Sequence, residues 1–197
     1  SISATGRQPP ASYLFRAAML PAAAVLALYW WCNYSWLRFL QPAGGHNGRL
    51  RWMLALGLLA CLGLVLYVAV LGEAGDAWRF QRRAGTVLFF SFTFLAQLLL
   101  GVQLRALAPG LPRVQGLARG MLWVCCLLLA LGILTVVLQA WDGVWYDSVE
   151  DAFEWVLSLL LQTNFLLGYL VWRRADWQLH FVQPEAALST PANQGKQ

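Results

Sequence analysis

A cluster of acidic residues opens the last long apolar block of the sequence. Four carboxylates and a tryptophan lie within nine positions, namely Asp147, Glu150, Asp151, Glu154 and Trp155. Ser148 with Asp151 three positions later resembles a helix capping box, and carboxylates suit the positive end of a helix dipole. The pattern predicts a helix that begins near Val149 with an acidic cap.

Glu154 is the acid that reaches furthest into this apolar block, and it shares a helix face with Glu150. Inserting a carboxylate at the centre of a membrane-spanning helix costs about 2.5–3.5 kcal/mol, so such a residue usually has a charged or polar partner or a function. Arg16, Arg82 and Arg83 are candidate partners, although the sequence does not place them beside Glu154. The alternatives are a purely structural cap and a binding site for lipid or a protein partner, formed by Glu150, Asp151, Glu154 and Trp155.

Three arginines precede the third apolar block, at Arg79, Arg82 and Arg83, with Trp78 and Phe80 among them. Guanidinium groups bind phosphate through paired hydrogen bonds, which makes these arginines candidate contacts for lipid headgroups. Arginine and tryptophan also anchor helices at a membrane interface without binding any particular lipid. Both interpretations of the three arginines stay open.

The remaining reactive side chains do not form a catalytic or metal-binding pattern. His46 and His180 are isolated, all four cysteines lie inside apolar blocks, and G-x-S-x-G, H-E-x-x-H and P-loop motifs are absent. The arginines are scattered between apolar blocks, which argues against nucleic-acid binding. We therefore expect no metal, no cofactor and no nucleic-acid partner.

The elements that carry these residues are transmembrane helices. The chain is 59% hydrophobic and 12% charged, whereas soluble domains contain about 25% charged residues. Crossing a hydrocarbon core of about 30 Å takes roughly 20 apolar residues. Five stretches qualify: 17–37, 52–71, 84–104, 121–141 and 149–172.

These spans predict an all-α, polytopic transmembrane helical bundle. Residues 1–180 form a single domain in this prediction, and the polar segment 181–197 is a disordered cytoplasmic tail. The short loops at 38–51 and 105–120 contain arginine and no acid, which places them in the cytoplasm. The predicted N-terminus is then outside and the C-terminus inside.

Six amides lie within the apolar blocks: Asn33, Gln97, Gln103, Gln139, Gln162 and Asn164. They predict either hydrogen bonds between helices or the lining of a polar cavity.

Two short motifs lie near opposite ends of the chain. Residues 2–10 are Ile-Ser-Ala-Thr-Gly-Arg-Gln-Pro-Pro, with Phe15 shortly after, and Glu154-Trp155 opens a span that ends near Asp176. They resemble the "I-S-x-T-G-x-x-P-P … F" segment and the final "E-W … D-F" helix of the damage-regulated autophagy modulator (DRAM), FRAG and SFK family.

The resemblance implies a family bundle of six helices, of which this chain lacks the first. Relatives place a His ahead of a Gly-Ala pair where this chain has Arg82-Arg83-Ala84-Gly85, so no histidine role carries over. Relatives act in GPI-anchor lipid remodelling, in recruiting phosphoinositide kinases and in autophagy. The implied location is the plasma (inner) membrane or an endomembrane.

Together, the residues and the resemblance predict an integral membrane protein without enzymatic activity. It recognises or organises membrane lipids, or recruits a membrane or cytoplasmic protein partner, through its outer loops and a polar groove near Glu154. The alternative is a membrane-embedded enzyme that remodels lipids or GPI anchors with the acids at the start of the last helix.

Overall fold

The computed structural model describes residues 9–41, 48–73, 75–107, 110, 112–141 and 143–176, with all side chains except those of residues 143–148. The described chain forms five long α-helices: α1 (Ala11–Leu40), α2 (Gly48–Ala69), α3 (Asp76–Leu107), α4 (Gln115–Trp141) and α5 (Gly143–Arg174). Each is long and apolar enough to cross a membrane. The predicted all-α bundle with five spans is therefore confirmed. The predicted tail 181–197 and the motif at residues 2–8 lie outside the described residues.

The helices extend beyond the apolar spans that predict them. α3 begins at Asp76 instead of Ala84, and α1 begins at Ala11 instead of Ala17. Backbone groups at a membrane interface still need hydrogen-bond partners, so the helices continue through polar turns on either side of the hydrocarbon. Pro21 lies inside α1.

Contacts between helices define an up-and-down bundle. Arg16 near the start of α1 donates a hydrogen bond to the backbone carbonyl of Leu71, just beyond the end of α2. Trp172 near the end of α5 donates to the side-chain oxygen of Asn33 in the second half of α1, at 3.2 Å. The starts of α1, α3 and α5 therefore lie at the same end as the ends of α2 and α4.

The two ends of the bundle differ in charge. One end, here called the basic end, carries eight arginines and, among the described residues, a single acid, Asp176. These arginines are Arg38, Arg49, Arg51, Arg105, Arg113, Arg119, Arg173 and Arg174. The other end, here called the acidic end, carries five acids whose side chains are described, Glu73, Asp76, Glu150, Asp151 and Glu154. It also carries four arginines, Arg16, Arg79, Arg82 and Arg83.

The main core lies in the half of the bundle toward the basic end. Its largest fully buried members are Trp30, Leu37, Leu50, Met53, Leu100, Leu104 and Met121. A smaller cluster of Ala23, Leu64 and Val68 joins α1 and α2 toward the acidic end. α2 is buried along its length, from Leu50 to Val68, because it packs between α1 and α3.

Tyr29 closes the bundle between its first and last helices. Its ring lies 5.2 Å, between centroids, from Phe165 and from Trp172 of α5, and 5.1 Å from the adjacent Trp30. Edge-on and tilted aromatic pairs at these distances are favourable, by about 0.5–1.5 kcal/mol each. Gly168 faces the Tyr29 hydroxyl with no room for a Cβ atom, which lets α5 approach α1.

Candidate functional site

Two arginines hold the turn between α2 and α3 at the acidic end. Arg16 of α1 binds the Leu71 carbonyl, and its guanidinium lies 3.8 Å from the Glu73 carboxylate. Arg82 of α3 donates to the backbone carbonyls of Val70 at 3.4 Å and Glu73 at 2.6 Å. The last carbonyls of a helix have no partner within the helix. The two arginines supply donors to this turn and add positive charge at the negative end of the α2 dipole.

The predicted arginine patch is therefore divided by the structure. Arg82 is half-buried and turned toward the α2–α3 turn. Arg79 and Arg83 are exposed, and Arg79 lies 3.8 Å from Asp76 in an exposed i,i+3 pair. An ion pair of this kind contributes little stability in water. Trp78 and Phe80 are exposed in the same two turns, Phe80 by 75%, so these turns present arginines and aromatic rings together.

The last helix begins earlier than its acidic residues predict. α5 starts at Gly143, and no acid lies in its first turn. Ser148 is therefore inside the helix, so the predicted capping box of Ser148 and Asp151 is wrong. The dipole acts only on the first turn, and Glu154 lies eleven residues after the start. The helix dipole consequently does not stabilise its carboxylate.

The four predicted site residues of α5 point in different directions. Glu150, Asp151 and Trp155 are exposed, and Trp155 is 53% exposed. Glu154 is half-buried. It lies seven residues, or two helical turns, before Leu161, which is only 4% exposed. Residues at this spacing share a helix face, so Glu154 lies on the inner face of α5.

The structure does not pair Glu154 with any of the arginines that the sequence offers. Arg16 and Arg82 bind the α2–α3 turn instead. The described part of the chain supplies no hydrogen bond or ion pair to Glu154, and none to Arg83.

Full burial on α4 and α5 is confined to one half of each helix. The buried residues of α4 are Ala118, Met121, Cys125 and Leu128, and those of α5 are Leu161, Asn164, Gly168 and Val171. All eight lie in the halves toward the basic end. No residue of 129–141 or 149–160 is buried. Toward the acidic end, the inner faces of both helices are therefore only partly covered by the other described helices.

These partly covered inner faces carry polar side chains beside apolar ones such as Leu157. The inner stripe of α4 continues from Cys125 and Leu128 at seven-residue spacing to Gly132 and Thr135, and one turn further to Gln139. On α5 the corresponding stripe contains Glu154 and, one turn further, Ser158. We call these five residues, Gly132, Thr135, Gln139, Glu154 and Ser158, the polar face.

The outward side of the same halves is apolar. Exposed residues there include Ile133, Val136 and Val137 on α4 and Val156 and Leu159 on α5. A helix surrounded only by hydrocarbon would be apolar on all sides. The polar face is thus the unusual feature of this region.

The sequence analysis identified Glu154 and Gln139 and missed the other three members of the polar face. The signal that could have found them is the seven-residue spacing from buried positions such as Cys125 and Leu161. That spacing becomes informative only when the buried positions are known. In the sequence alone, Thr135 and Ser158 are single polar residues within apolar runs.

Next to the polar face, three helices meet through an amide network. Gln97 donates to the backbone carbonyl of Leu161 at 3.1 Å, and the Asn164 amide donates to Gln97 Oε1 at 3.2 Å and to Cys125 Sγ at 3.1 Å. Gln97 and Asn164 are fully buried. The prediction of hydrogen bonds between helices is confirmed for these two amides and for Asn33, whereas Gln139 and Gln162 are exposed.

The cysteines and acids do not form a metal site in the described part of the chain. All four cysteines are free, and no group of three or more His, Cys, Asp or Glu side chains there is placed to hold a metal ion.

Comparison with protein families identifies the group to which this bundle belongs. The family model described as the "Frag1/DRAM/Sfk1/Cwh43P N-terminal domain" matches residues 1–171, which covers all of α1 to α4 and most of α5. The chain belongs to the Frag1/DRAM/Sfk1 family. This membership confirms the resemblance carried by the motifs at residues 2–10 and at Glu154-Trp155. No curated protein and no solved structure matches the chain.

Family membership and the five apolar helices agree on the class of protein. This Frag1/DRAM/Sfk1 protein is an integral, multi-pass membrane protein. The family match names no ligand or partner.

Proposed function

We propose that this Frag1/DRAM/Sfk1 protein is a non-enzymatic membrane protein that binds a phospholipid against the polar face of α4 and α5. The observation that carries the proposal is the combination of polarity and exposure on inner helix faces. Polar groups that face hydrocarbon without a partner are costly. A phospholipid seated with its headgroup on the polar face and its acyl chains along Val136, Val137 and Leu159 would satisfy both kinds of surface.

The residues beside the polar face suit acyl chains. They are bulky, apolar and exposed, as in Ile133, Val137 and Leu159, and acyl chains adapt to such a surface. Gly132, Thr135 and Ser158 are small residues of the kind through which membrane helices approach each other, so a partner helix is the alternative occupant that the test below has to distinguish.

The side chains of the polar face support binding without catalysis. A hydroxyl nucleophile needs a base within hydrogen-bond reach. Thr135 instead donates to the backbone carbonyl of Gly132 at 2.8 Å. Among the described residues, no hydrogen bond joins the Ser158 hydroxyl to an acid or a histidine.

The arginines at the start of α3 provide a second contact in this proposal. Arg79 and Arg83 are exposed beside Trp78 and Phe80, and guanidinium groups match the geometry of phosphate. Arg82 uses its Nη1 on the Val70 and Glu73 carbonyls of the α2–α3 turn, so the proposal assigns this contact to Arg79 and Arg83.

The proposal is tested by mapping where a lipid resides. The protein is purified in mild detergent with phospholipids that carry a photoreactive group in the acyl chain, irradiated and digested. We expect the crosslinks that survive extensive washing to concentrate in residues 129–141 and 149–160. Crosslinks spread evenly over all lipid-exposed helices, with nothing retained after washing, would contradict the proposal.

A variant pair makes this test specific. Ser158→Leu fills the polar face with an apolar side chain and should remove the retained lipid. Val156→Leu changes an exposed apolar residue two positions away and should leave retention unchanged. Equal lipid retention by Ser158→Leu and Val156→Leu would also contradict lipid binding at the polar face.

A further inference from the structure

α2 leaves one side of its surface exposed, although it packs between α1 and α3. The exposed residues follow helical spacing, so they share one face of the helix. We call this surface the α2 outer face; it consists of Gly48, Arg51, Trp52, Ala55, Leu58, Leu59 and Leu62. It begins at the basic end of the bundle and continues into the hydrocarbon.

The α2 outer face contains an open groove at the basic end. Its lining residues are Gly48, Arg51, Trp52 and Ala55. The volume of the groove is about 410 Å³, a size typical of small-molecule sites. Trp52 is 66% exposed, and a Cβ atom added at Gly48 would have no neighbour within 4 Å. The groove thus combines a guanidinium group, an aromatic ring and free space beside two small residues.

The arginines at this groove have no counter-charge within the described chain. Arg51 lines the groove, and Arg49 is exposed one helical turn from Trp52. Asp176, the one described acid at the basic end, lies 3.9 Å from Arg113. Neither Arg49 nor Arg51 forms an ion pair with any described residue. The groove is therefore cationic, and a ligand that complements it is an anion.

We propose that this groove binds the headgroup of an anionic phospholipid, whose acyl chains lie along Leu58, Leu59 and Leu62. Guanidinium groups bind phosphate through paired hydrogen bonds. The three leucines are each more than 40% exposed and offer the acyl chains an apolar surface. The groove lies at the opposite end of the bundle from the polar face, so this inference is independent of the proposed function.

The length of the α2 outer face matches one leaflet of a bilayer. Leu62 follows Arg51 by eleven residues, which is about 16 Å of helix. Half of a hydrocarbon core of about 30 Å is about 15 Å. A lipid with its phosphate at Arg51 therefore has its acyl chains beside the leucines. The arginine bias predicts that this end faces the cytoplasm, and the cytoplasmic leaflet is the one that carries anionic lipid.

The charge of the whole headgroup should decide which lipid binds, because every phospholipid has a phosphate. A choline headgroup adds a cation, which Arg49 and Arg51 repel. Trp52 does not compensate for this repulsion, because choline is bound by a cage of several aromatic faces. A glycerol headgroup adds no charge and leaves the lipid anionic. The groove should therefore prefer phosphatidylglycerol over phosphatidylcholine.

The experiment compares two photoreactive lipids on the full chain in nanodiscs. Phosphatidylglycerol and phosphatidylcholine carry the same photoreactive acyl chain, and crosslinks are located in the digested protein by mass spectrometry. The measured quantity is the ratio of the two lipids crosslinked to residues 48–62. An arginine near an anionic surface contributes about 1 kcal/mol, which corresponds to about fivefold. We expect phosphatidylglycerol to be enriched about fivefold or more.

A matched pair of arginine variants tests the charge. Arg51→Gln should lower the phosphatidylglycerol enrichment at residues 48–62 about fivefold. Arg119→Gln is the control, because Arg119 is exposed at the same end of the bundle, one turn from the exposed Trp123 of α4. It should leave the enrichment at residues 48–62 unchanged.

A second pair tests the groove without changing charge. Ala55→Leu fills the groove and should reduce the phosphatidylglycerol crosslinked to residues 48–62. Ala69→Leu is the control, because Ala69 lies on the same side of α2 at the acidic end. Both alanines are exposed, so both variants should keep the fold, and thermal unfolding in detergent checks this.

Equal crosslinking of the two lipids, or an enrichment that survives Arg51→Gln, would overturn the inference. An equal loss of enrichment in Arg51→Gln and Arg119→Gln would also overturn it, because it would show a general attraction of anionic lipid to the basic end. A dimer in native mass spectrometry that Ala55→Leu abolishes, without crosslinks in residues 48–62, would assign the groove to a second copy of the chain. Crosslinks in residues 129–141 and 149–160 are read from the same digest, so a failure of the proposed function is scored separately.

Discussion

Asn164 of α5 donates its side-chain amide to the side-chain oxygen of Gln97 on α3, at 3.2 Å and completely out of contact with solvent or lipid. The same nitrogen lies 3.1 Å from Cys125 Sγ on α4. Gln97 uses its own amide nitrogen on the Leu161 carbonyl. One asparagine thus ties three helices together just below the region where α4 and α5 are only partly covered.

Replacing Asn164 by Leu should destabilise the bundle. The substitution leaves Gln97 Oε1 without a donor, and a buried group without its partner costs about 1–3 kcal/mol. Hydrogen bonds between membrane helices average about 0.6 kcal/mol, so we expect a loss near the lower end of that range. Reversible unfolding in mixed micelles measures the free energy directly. Gln162→Leu, at an exposed amide of the same helix, is the control and should change the stability little.

The amides show which features of such a bundle can be predicted from the sequence and which cannot. Polar residues in apolar blocks indicate hydrogen bonds between helices, and Gln97, Asn164 and Asn33 form them. The partner of each amide depends on how the helices rotate and cross, which apolar blocks do not encode locally. For the same reason, the sequence offered Arg16 and Arg82 as partners of Glu154, whereas the fold places both on the α2–α3 turn.

Helix ends were predicted less well than helix number. The five spans follow from the length of apolar runs, and all five are present. The sequence predicts that α5 starts near Val149, because Ser148 resembles a cap, but the helix begins at Gly143. A capping pattern is a local preference of about 1 kcal/mol, and the preceding turns of helix outweigh it.

Gly57 is predicted to be intolerant of any side chain. A Cβ atom at this position of α2 would overlap the indole ring of Trp30, which is fully buried. Overpacking of a core costs about 1–3 kcal/mol, so Gly57→Ala should lower the free energy of unfolding by that amount. Gly116→Ala in α4 is the control, because a Cβ atom added at Gly116 would have no neighbour within 4 Å. It should stabilise slightly, since Ala is a better helix former than Gly.

The double variant Gly57→Ala, Trp30→Phe tests the cause. If the loss of stability in Gly57→Ala comes from overlap with the indole, the smaller phenyl ring should recover part of it. The changes in unfolding free energy of the two single variants will then not add up to that of the double variant. If the two changes in unfolding free energy simply add, the cost of Gly57→Ala does not come from overlap with Trp30.

The arginines of α3 should separate into two kinds. Arg79→Gln with Arg83→Gln should reduce the anionic phospholipid that the purified protein retains and leave the free energy of unfolding unchanged, because both side chains are exposed. Arg82→Gln should lower stability, because it removes donors from the Val70 and Glu73 carbonyls. Native mass spectrometry of the retained lipid, combined with unfolding in mixed micelles, measures both properties. An equal effect of all three substitutions on lipid retention would restore the undivided patch that the sequence predicts.

Orientation in the membrane is the last prediction, and it follows from the unequal ends of the bundle. Eight arginines lie at the basic end with Asp176 as the one described acid, and arginine in short loops is retained in the cytoplasm. The loops that contain Arg49 and Arg113, and the tail with Pro184, should therefore be cytoplasmic. The polar face would then open toward the outer leaflet. Four arginines at the acidic end oppose this bias, but three of them are already paired with acceptors on the α2–α3 turn or with Asp76.

Single cysteines introduced at Arg49, Arg113 and Asp76, in a variant whose four native cysteines are replaced by Ala, are labelled on intact cells with a membrane-impermeant maleimide. Only the cysteine at position 76 should react before the cells are opened. Labelling of positions 49 and 113 from outside would reverse the orientation and place the polar face, with Glu154, toward the cytoplasmic leaflet.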